Sequence, residues 1–155
     1  MVSPTAQQTR IMEWMENHLP EDNSVGLQDV TSMYTVISVM GPRSRQLMQH
    51  ITNSDIKMTP YTAQYMNMGY ASGVMVFAVT QTNEPGYTLY VQSDHALQLY
   101  EQIMKVGQDY NIKDVGLLSV RKARVERSIP SWGEVIRQPS NQTSNVSNST
   151  YLFRN

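Results

Sequence analysis

Nine consecutive residues, Asn83-Glu84-Pro85-Gly86-Tyr87-Thr88-Leu89-Tyr90-Val91, constrain the fold of this chain more than any other stretch. Pro85 fixes its own φ, and Gly86 permits backbone angles that other residues resist. The alternating β-branched and aromatic residues that follow read as a strand. Ser93 and Asp94 then offer an N-cap and a first-turn carboxylate for a helix. Turn, strand and helix therefore follow one another almost without connecting residues. Glu84 stands at the entrance of the strand on a rigid corner. Its carboxylate can accept hydrogen bonds from a ring with adjacent N–H donors, or it can tie down the turn. Carboxylates beside Pro-Gly turns often satisfy their own backbone, so the residues alone lean towards the structural role.

Around this corner the pattern predicts further elements. Residues 9–18 read as a short helix with Ile11, Met12, Trp14 and Met15 on one side, ended by Pro20. Residues 34–40 read as a strand. Gly41-Pro42 breaks it, and Pro42 suits the first position of a helix running to about Ile51, with Leu47, Met48 and Ile51 inward. Residues 65–70 and 74–80 read as paired strands around Ala71-Ser72-Gly73. The second, apolar on both faces, is expected to be central and covered. The helix opened by Ser93 is expected to reach Gly107, burying Ala96, Leu99, Tyr100, Ile103 and Val106. Residues 115–127 read as a last helix, with Leu118, Val125 and Val120 inward. The sum is an α+β fold, a mainly antiparallel sheet with helices packed on one face. Residues 1–136 carry it. Residues 137–155, rich in Asn, Ser, Thr and Gln, read as a disordered tail.

Several function classes lose ground on composition. With 155 residues the chain can bury one core. A net charge of −1 without long single-sign blocks disfavours nucleic-acid binding through a basic surface. The absence of cysteine removes disulfides, thiol nucleophiles and thiolate metal sites. No apolar run is long enough to span a membrane, and residues 1–5 resemble neither a secretory signal nor an Arg-rich transit peptide. Eleven methionines read as adaptable core filling, with a Met-rich binding surface as the alternative.

The chemistry-bearing residues are sparse. His18, His50 and His95 have no partner at helical metal spacing. There is neither a Gly-rich phosphate loop nor a G-x-S-x-G elbow. Arg121, Lys122, Arg124 and Arg127 form the basic cluster. A solvated helix face is its ordinary meaning, and an anion site for a polyglutamate or carboxylate ligand is the alternative. Sequons at Asn141, Asn145 and Asn148 arise freely in such Asn/Ser/Thr-rich sequence. Residue patterns alone thus yield an α+β domain and no reaction.

One resemblance goes further. Glu84-Pro85-Gly86-Tyr87-Thr88-Leu89-Tyr90-Val91, then a helix, then Arg124-Val125-Glu126 and Trp132-Gly133, resembles the aminomethyltransferase (glycine-cleavage T-protein) family. That fold also forms the C-terminal part of dimethylglycine and sarcosine dehydrogenases. Asp29-Val30-Thr31 and Met40-Gly41-Pro42-Arg43-Ser44 are similar to the family as well. The closer resemblance is to one branch of it, the pyruvate dehydrogenase phosphatase regulatory subunits. Ser3-Pro4-Thr5, His18-Leu19-Pro20, Met68-Gly69-Tyr70-Ala71 and Val106-Gly107-Gln108 carry that resemblance together with the corner.

This resemblance implies a regulatory, non-catalytic role in the mitochondrial matrix, with the phosphatase catalytic subunit as partner. In folate-using relatives it implies a tetrahydrofolate pocket, which would place Glu84, Tyr87 and Arg124 as cofactor-binding residues and no metal. FAD would belong to an upstream region that this sequence does not include. The strands bearing the catalytic aspartate of the folate enzymes are also expected upstream, so Met1 reads as an internal methionine or a fragment boundary. Two departures stand out: Asn83 replaces a usual Gly, and Thr88 a usual Glu of the folate enzymes.

Overall fold

The computed structural model describes residues 1–79 and 81–129. Trp132, Gly133, the sequons and the expected tail lie outside the described residues. The chain divides into two compact units, Met1–Met33 and the remainder from Tyr34.

In the first unit a 3₁₀ turn, Thr5–Gln7, leads into α1, Gln8–Glu16. Ile11, Met12 and Met15 are half-buried as expected. Trp14, expected with them, is exposed and stacks instead on the His18 ring, with centroids 4.2 Å apart. His18 Nδ1 donates to the Trp14 carbonyl at 2.7 Å, one helical turn back, which fixes the stack. Asp29 holds the other end of the unit. Its carboxylate accepts from the Thr31 hydroxyl (2.6 Å), the Thr31 N–H (2.9 Å) and the Gln8 side-chain amide (2.7 Å). These bonds stabilise the charged form, so the Asp29 carboxyl is held below its ordinary value, the Thr31 hydroxyl contributing most.

The second unit is built on four strands: β1 (Tyr34–Met40), β2 (Ala63–Met68), β3 (Ala71–Phe77) and β4 (Gly86–Gln92). They run in the order β1-β4-β3-β2, and every pairing is antiparallel. α2 (Ser44–Gln49) and α3 (Ser93–Gly107) pack against this sheet, and α4 (Leu117–Glu126) follows the 3₁₀ turn Gln108–Tyr110. The α+β architecture expected from the sequence is therefore present. Alternation along the strands sends Tyr87, Leu89 and Val91 of β4 and Val74 and Val76 of β3 into the core. Met48, Met66 and Met68 lie there too, as adaptable filling.

Four local expectations are corrected. The hairpin between β2 and β3 turns at Gly69-Tyr70, closed by the Met68↔Ala71 pair, because Gly69 takes φ +58°. Gly73, expected in the turn, sits inside β3 at φ +64° where the register shifts. Its N–H donates to the Asn67 side chain at 3.1 Å. β3 is central, yet it is covered on one face only. Met75 and Phe77 point to the other side and remain half-buried, with Phe77 edge-on to Tyr90 at 5.2 Å. α2 starts at Ser44, two residues after Pro42, with Arg43 in a non-helical conformation (φ −99°, ψ 2°) before it.

α4 also departs from expectation. Leu118 and Val125, expected inward, are 77% and 52% exposed, while Val120, Ala123 and Arg124 are half-buried. The body-facing positions are 120, 123, 124 and 127, spaced i, i+3, i+4 and i+7. Leu118 and Val125 share the opposite face.

Candidate functional site

The corner before β4 gets its shape from two backbone features. Asn83 adopts φ +60°, a left-handed conformation that Gly enters freely and Asn better than most other residues. Gly86, by contrast, does not take positive φ. It is needed for close approach: a Cβ at this position would lie 3.0 Å from Met40 Cγ and 3.1 Å from the Val39 carbonyl oxygen on β1. The expectation that Gly86 supplies unusual angles is thereby corrected.

Pro85 anchors the corner to the β1–α2 connection. Its carbonyl accepts from the Gly41 N–H and from the Ser44 hydroxyl, both at 2.9 Å. Ser44 is buried, and Gly41 stands at φ +132°, open to glycine. Two stretches 41 residues apart, Gly41-Pro42-Arg43-Ser44 and Glu84-Pro85-Gly86, thus meet at a single oxygen. Neither Gly41 nor Ser44 was singled out as a site residue from sequence; the signal was their place in the second family-like stretch.

Tyr87 points into the core and is 3% exposed. Its hydroxyl donates to the Ile56 carbonyl at 3.0 Å, which orders the irregular segment between α2 and β2. The same carbonyl accepts the Met58 N–H at 2.8 Å. Thr88 points to the opposite sheet face, with its hydroxyl 3.4 Å from that of Ser38 on β1.

Glu84 turns towards the C-terminal end of α4. Its carboxylate pairs with the Arg127 guanidinium through Nη2, and Arg127 Nη1 donates to the Thr82 carbonyl at 2.6 Å. One guanidinium therefore spans two acceptors of the corner. The family resemblance implies Arg124, with Glu84 and Tyr87, as a cofactor-binding residue, but the ion pair of the corner uses another arginine. Arg127, just past the end of α4 on the same side, makes the contact; no local signal marks it, because α4 carries apolar residues on two faces. Both side chains of the pair keep contact with water, 42% of Arg127 and 32% of Glu84.

Glu84 also forms part of two cavities. One, of about 390 Å³, lies between the corner and the 58–61 segment, where Tyr87, Arg45 and Tyr61 contribute. Tyr61 itself holds φ +64°, an outlying conformation for a bulky residue. The other, of about 530 Å³, lies between β1, α3 and α4, with Tyr100, Asp114, Val120 and Ala123 in its walls. There the Tyr100 hydroxyl donates to both Asp114 oxygens, at 3.1 and 3.0 Å. That hydrogen bond, followed by burial and the Asp114 charge, raises the Tyr100 phenol above its ordinary value. Of the three expected cofactor residues, Glu84 and Tyr87 share the smaller cavity; Arg124 lines neither. Among the described residues no cluster of His, Cys, Asp or Glu could hold a metal ion, and no helix is long and apolar enough to cross a membrane.

Comparison with known proteins converges on one family. The GCVT N-terminal domain matches residues 1–144. The mitochondrial pyruvate dehydrogenase phosphatase regulatory subunit of Mus musculus is 34% identical over 86% of this chain and 16% of its own length. Mitochondrial dimethylglycine dehydrogenase of Mus musculus is 25% identical over 91% of this chain and 17% of its own length. An aminomethyltransferase of Caldanaerobacter subterraneus subsp. tengcongensis is 26% identical over 78% of this chain and 32% of its own length. The chain thus spans about a sixth of the two mitochondrial relatives and about a third of the bacterial one.

Proposed function

The chain belongs to the GCVT N-terminal domain family, and from that premise we propose that it serves as a regulatory, non-catalytic portion of a protein like the pyruvate dehydrogenase phosphatase regulatory subunit. On this reading it works in the mitochondrial matrix, by contact with the phosphatase catalytic subunit, in the dephosphorylation of the pyruvate dehydrogenase complex. The observation that carries the reading is the identity gradient: 34% to the regulatory subunit against 25% and 26% to the two enzymes, over comparable shares of the chain. The ion pair agrees with it, because the corner carboxylate is engaged by the chain's own Arg127. Affinity capture with the phosphatase catalytic subunit tests the proposal, using this chain as bait. Retention of the subunit is the expected result, and no retention overturns it.

A second reading has one observation in its favour. Glu84 lies in the walls of two cavities, one of which it shares with Tyr87. This suits a tetrahydrofolate-binding portion of a dimethylglycine or sarcosine dehydrogenase-like enzyme, with Glu84 and Tyr87 as contacts in the cavity; Arg124, the third residue the resemblance implies, lies outside its walls. Calorimetric titration with tetrahydrofolate decides it. Saturable heat that Glu84→Ala abolishes supports the reading, whereas identical traces for the two proteins make Glu84 a structural residue.

A further inference from the structure

We propose that a groove between α2 and the 55–57 segment binds a phosphate monoester with a flat apolar body. The groove is a cavity of about 610 Å³, closed at one end by Tyr110 of the 3₁₀ turn after α3. Two cations line it from different segments, Arg45 on α2 and Lys57 beyond it. Among the described residues neither is in an ion pair. His50 adds an imidazole, whose ring lies 5.9 Å from that of Tyr110. One carboxylate opposes them, Asp55, and its Oδ1 already accepts the Lys57 N–H at 2.8 Å. The groove therefore keeps a net positive charge.

Unpaired surface cations are ordinarily just solvated. Here the wall that carries Lys57 is held in place before any ligand arrives. The buried Thr52 hydroxyl donates to the Asn67 carbonyl at 2.6 Å and accepts the Ser54 N–H at 3.1 Å. The Gln49 amide donates to the Ser54 carbonyl at 3.0 Å, and the Ile56 carbonyl is held by Tyr87. A ligand thus meets a preformed concavity and orders only side-chain ends, which lowers the cost of binding.

Donors enter the groove from two segments, which suits a tetrahedral anion better than a planar carboxylate. A phosphate monoester brings about −1.5 to −2 charge at pH 7 and three acceptor oxygens. Arg45 supplies a planar fork and Lys57 a point charge. Phosphate alone does not fill such a volume. Ile56, 1% exposed, and the half-buried Tyr110 offer apolar surface for an attached ring. Arg45 also borders the smaller cavity at the corner, but Lys57 and His50 do not. The inference rests on neither reading of the Glu84 corner.

Phenyl phosphate is the probe, titrated into the full chain by calorimetry near neutral pH. Saturable binding is expected. Arg45→Gln and Lys57→Gln, both at exposed positions, should each weaken it about three- to ten-fold, the worth of one partly exposed charge-assisted contact. Lys122→Gln removes a cation outside the groove and should leave the affinity unchanged. Benzoate and inorganic phosphate should both bind more weakly than phenyl phosphate. No saturable heat overturns the proposal, as does an equal loss in Lys122→Gln. Benzoate binding as tightly as the probe removes the case for phosphate, and inorganic phosphate doing so removes the case for an apolar body; either result overturns the assignment. Amide NMR shifts locate the ligand. Phenyl phosphate should move His50, Asp55 and Lys57 ahead of Thr82 and Glu84, and the reverse order would put the anion at the corner and sink the groove.

Discussion

Tyr87→Phe separates a core role from a ligand role for the tyrosine at the corner. The substitution removes one oxygen and keeps the ring, so packing in the core is nearly unchanged. What is lost is the 3.0 Å hydrogen bond to the Ile56 carbonyl. A net contribution of about 0.5–1.5 kcal/mol is usual for such a bond. The larger penalty of an orphaned buried acceptor does not arise, because Ile56 retains the Met58 N–H at 2.8 Å. A loss of about 1 kcal/mol is therefore expected, or a fall of about 2–4 °C in Tm for a chain of this size. Tyr87→Ala, which empties a site only 3% exposed, should cost about 3–5 kcal/mol. Urea unfolding with circular dichroism measures both, as a shift in midpoint at unchanged m. Two results refute the reasoning: a Phe variant as unstable as the Ala variant, or one with no loss at all. If Tyr87→Phe keeps its stability yet abolishes saturable tetrahydrofolate binding, the hydroxyl serves a ligand and the core assignment is wrong.

Gly107→Ala reverses a familiar sign. Ala gains up to about 1 kcal/mol over Gly in a helix interior, but its Cβ would lie 2.4 Å from Ile112 Cγ2 and 2.7 Å from Ile112 Cβ. Overpacking of about 1–3 kcal/mol should win, and a melting temperature at or above that of the unsubstituted chain would contradict it. At Asn83, φ +60° makes Gly acceptable and a β-branched residue strained. Asn83→Gly should stay within about 0.5 kcal/mol and Asn83→Val should lose about 1–3 kcal/mol, which urea midpoints can check; equal midpoints would refute it. In the first unit, the Asp29 carboxyl is held below its ordinary 3.8 by the Thr31 hydroxyl, the Thr31 N–H and Gln8. A depressed folded-state value means that its contribution is fully present above about pH 4 and is lost as pH falls through the folded value. A carboxyl NMR titration should give a midpoint under 3.8, and Thr31→Val should move it upward. An unmoved midpoint would dismiss the hydroxyl as the main cause.

The strands and helices were largely legible because each carries a local signal. The period-2 run in β1, the apolar stripe of α3 and the Pro-Gly corner depend on neighbours within a few residues. The misplaced features share another cause. Gly69 and Gly73 are equivalent as turn signals, and strand pairing decided which one turns and which one bulges. α4 has apolar residues on two faces, so its inward side could not be read from periodicity.

By itself, then, the sequence determined the α+β order of elements, the family, and a carboxylate on a rigid corner. Tertiary structure decided what that carboxylate does. Glu84 meets Arg127 across 43 residues of chain, and Pro85 meets Ser44 across 41. No local pattern encodes such a distance. The sheet brings the corner beside the β1–α2 connection, α4 turns one particular face inward, and a charge that composition leaves unassigned acquires its partner.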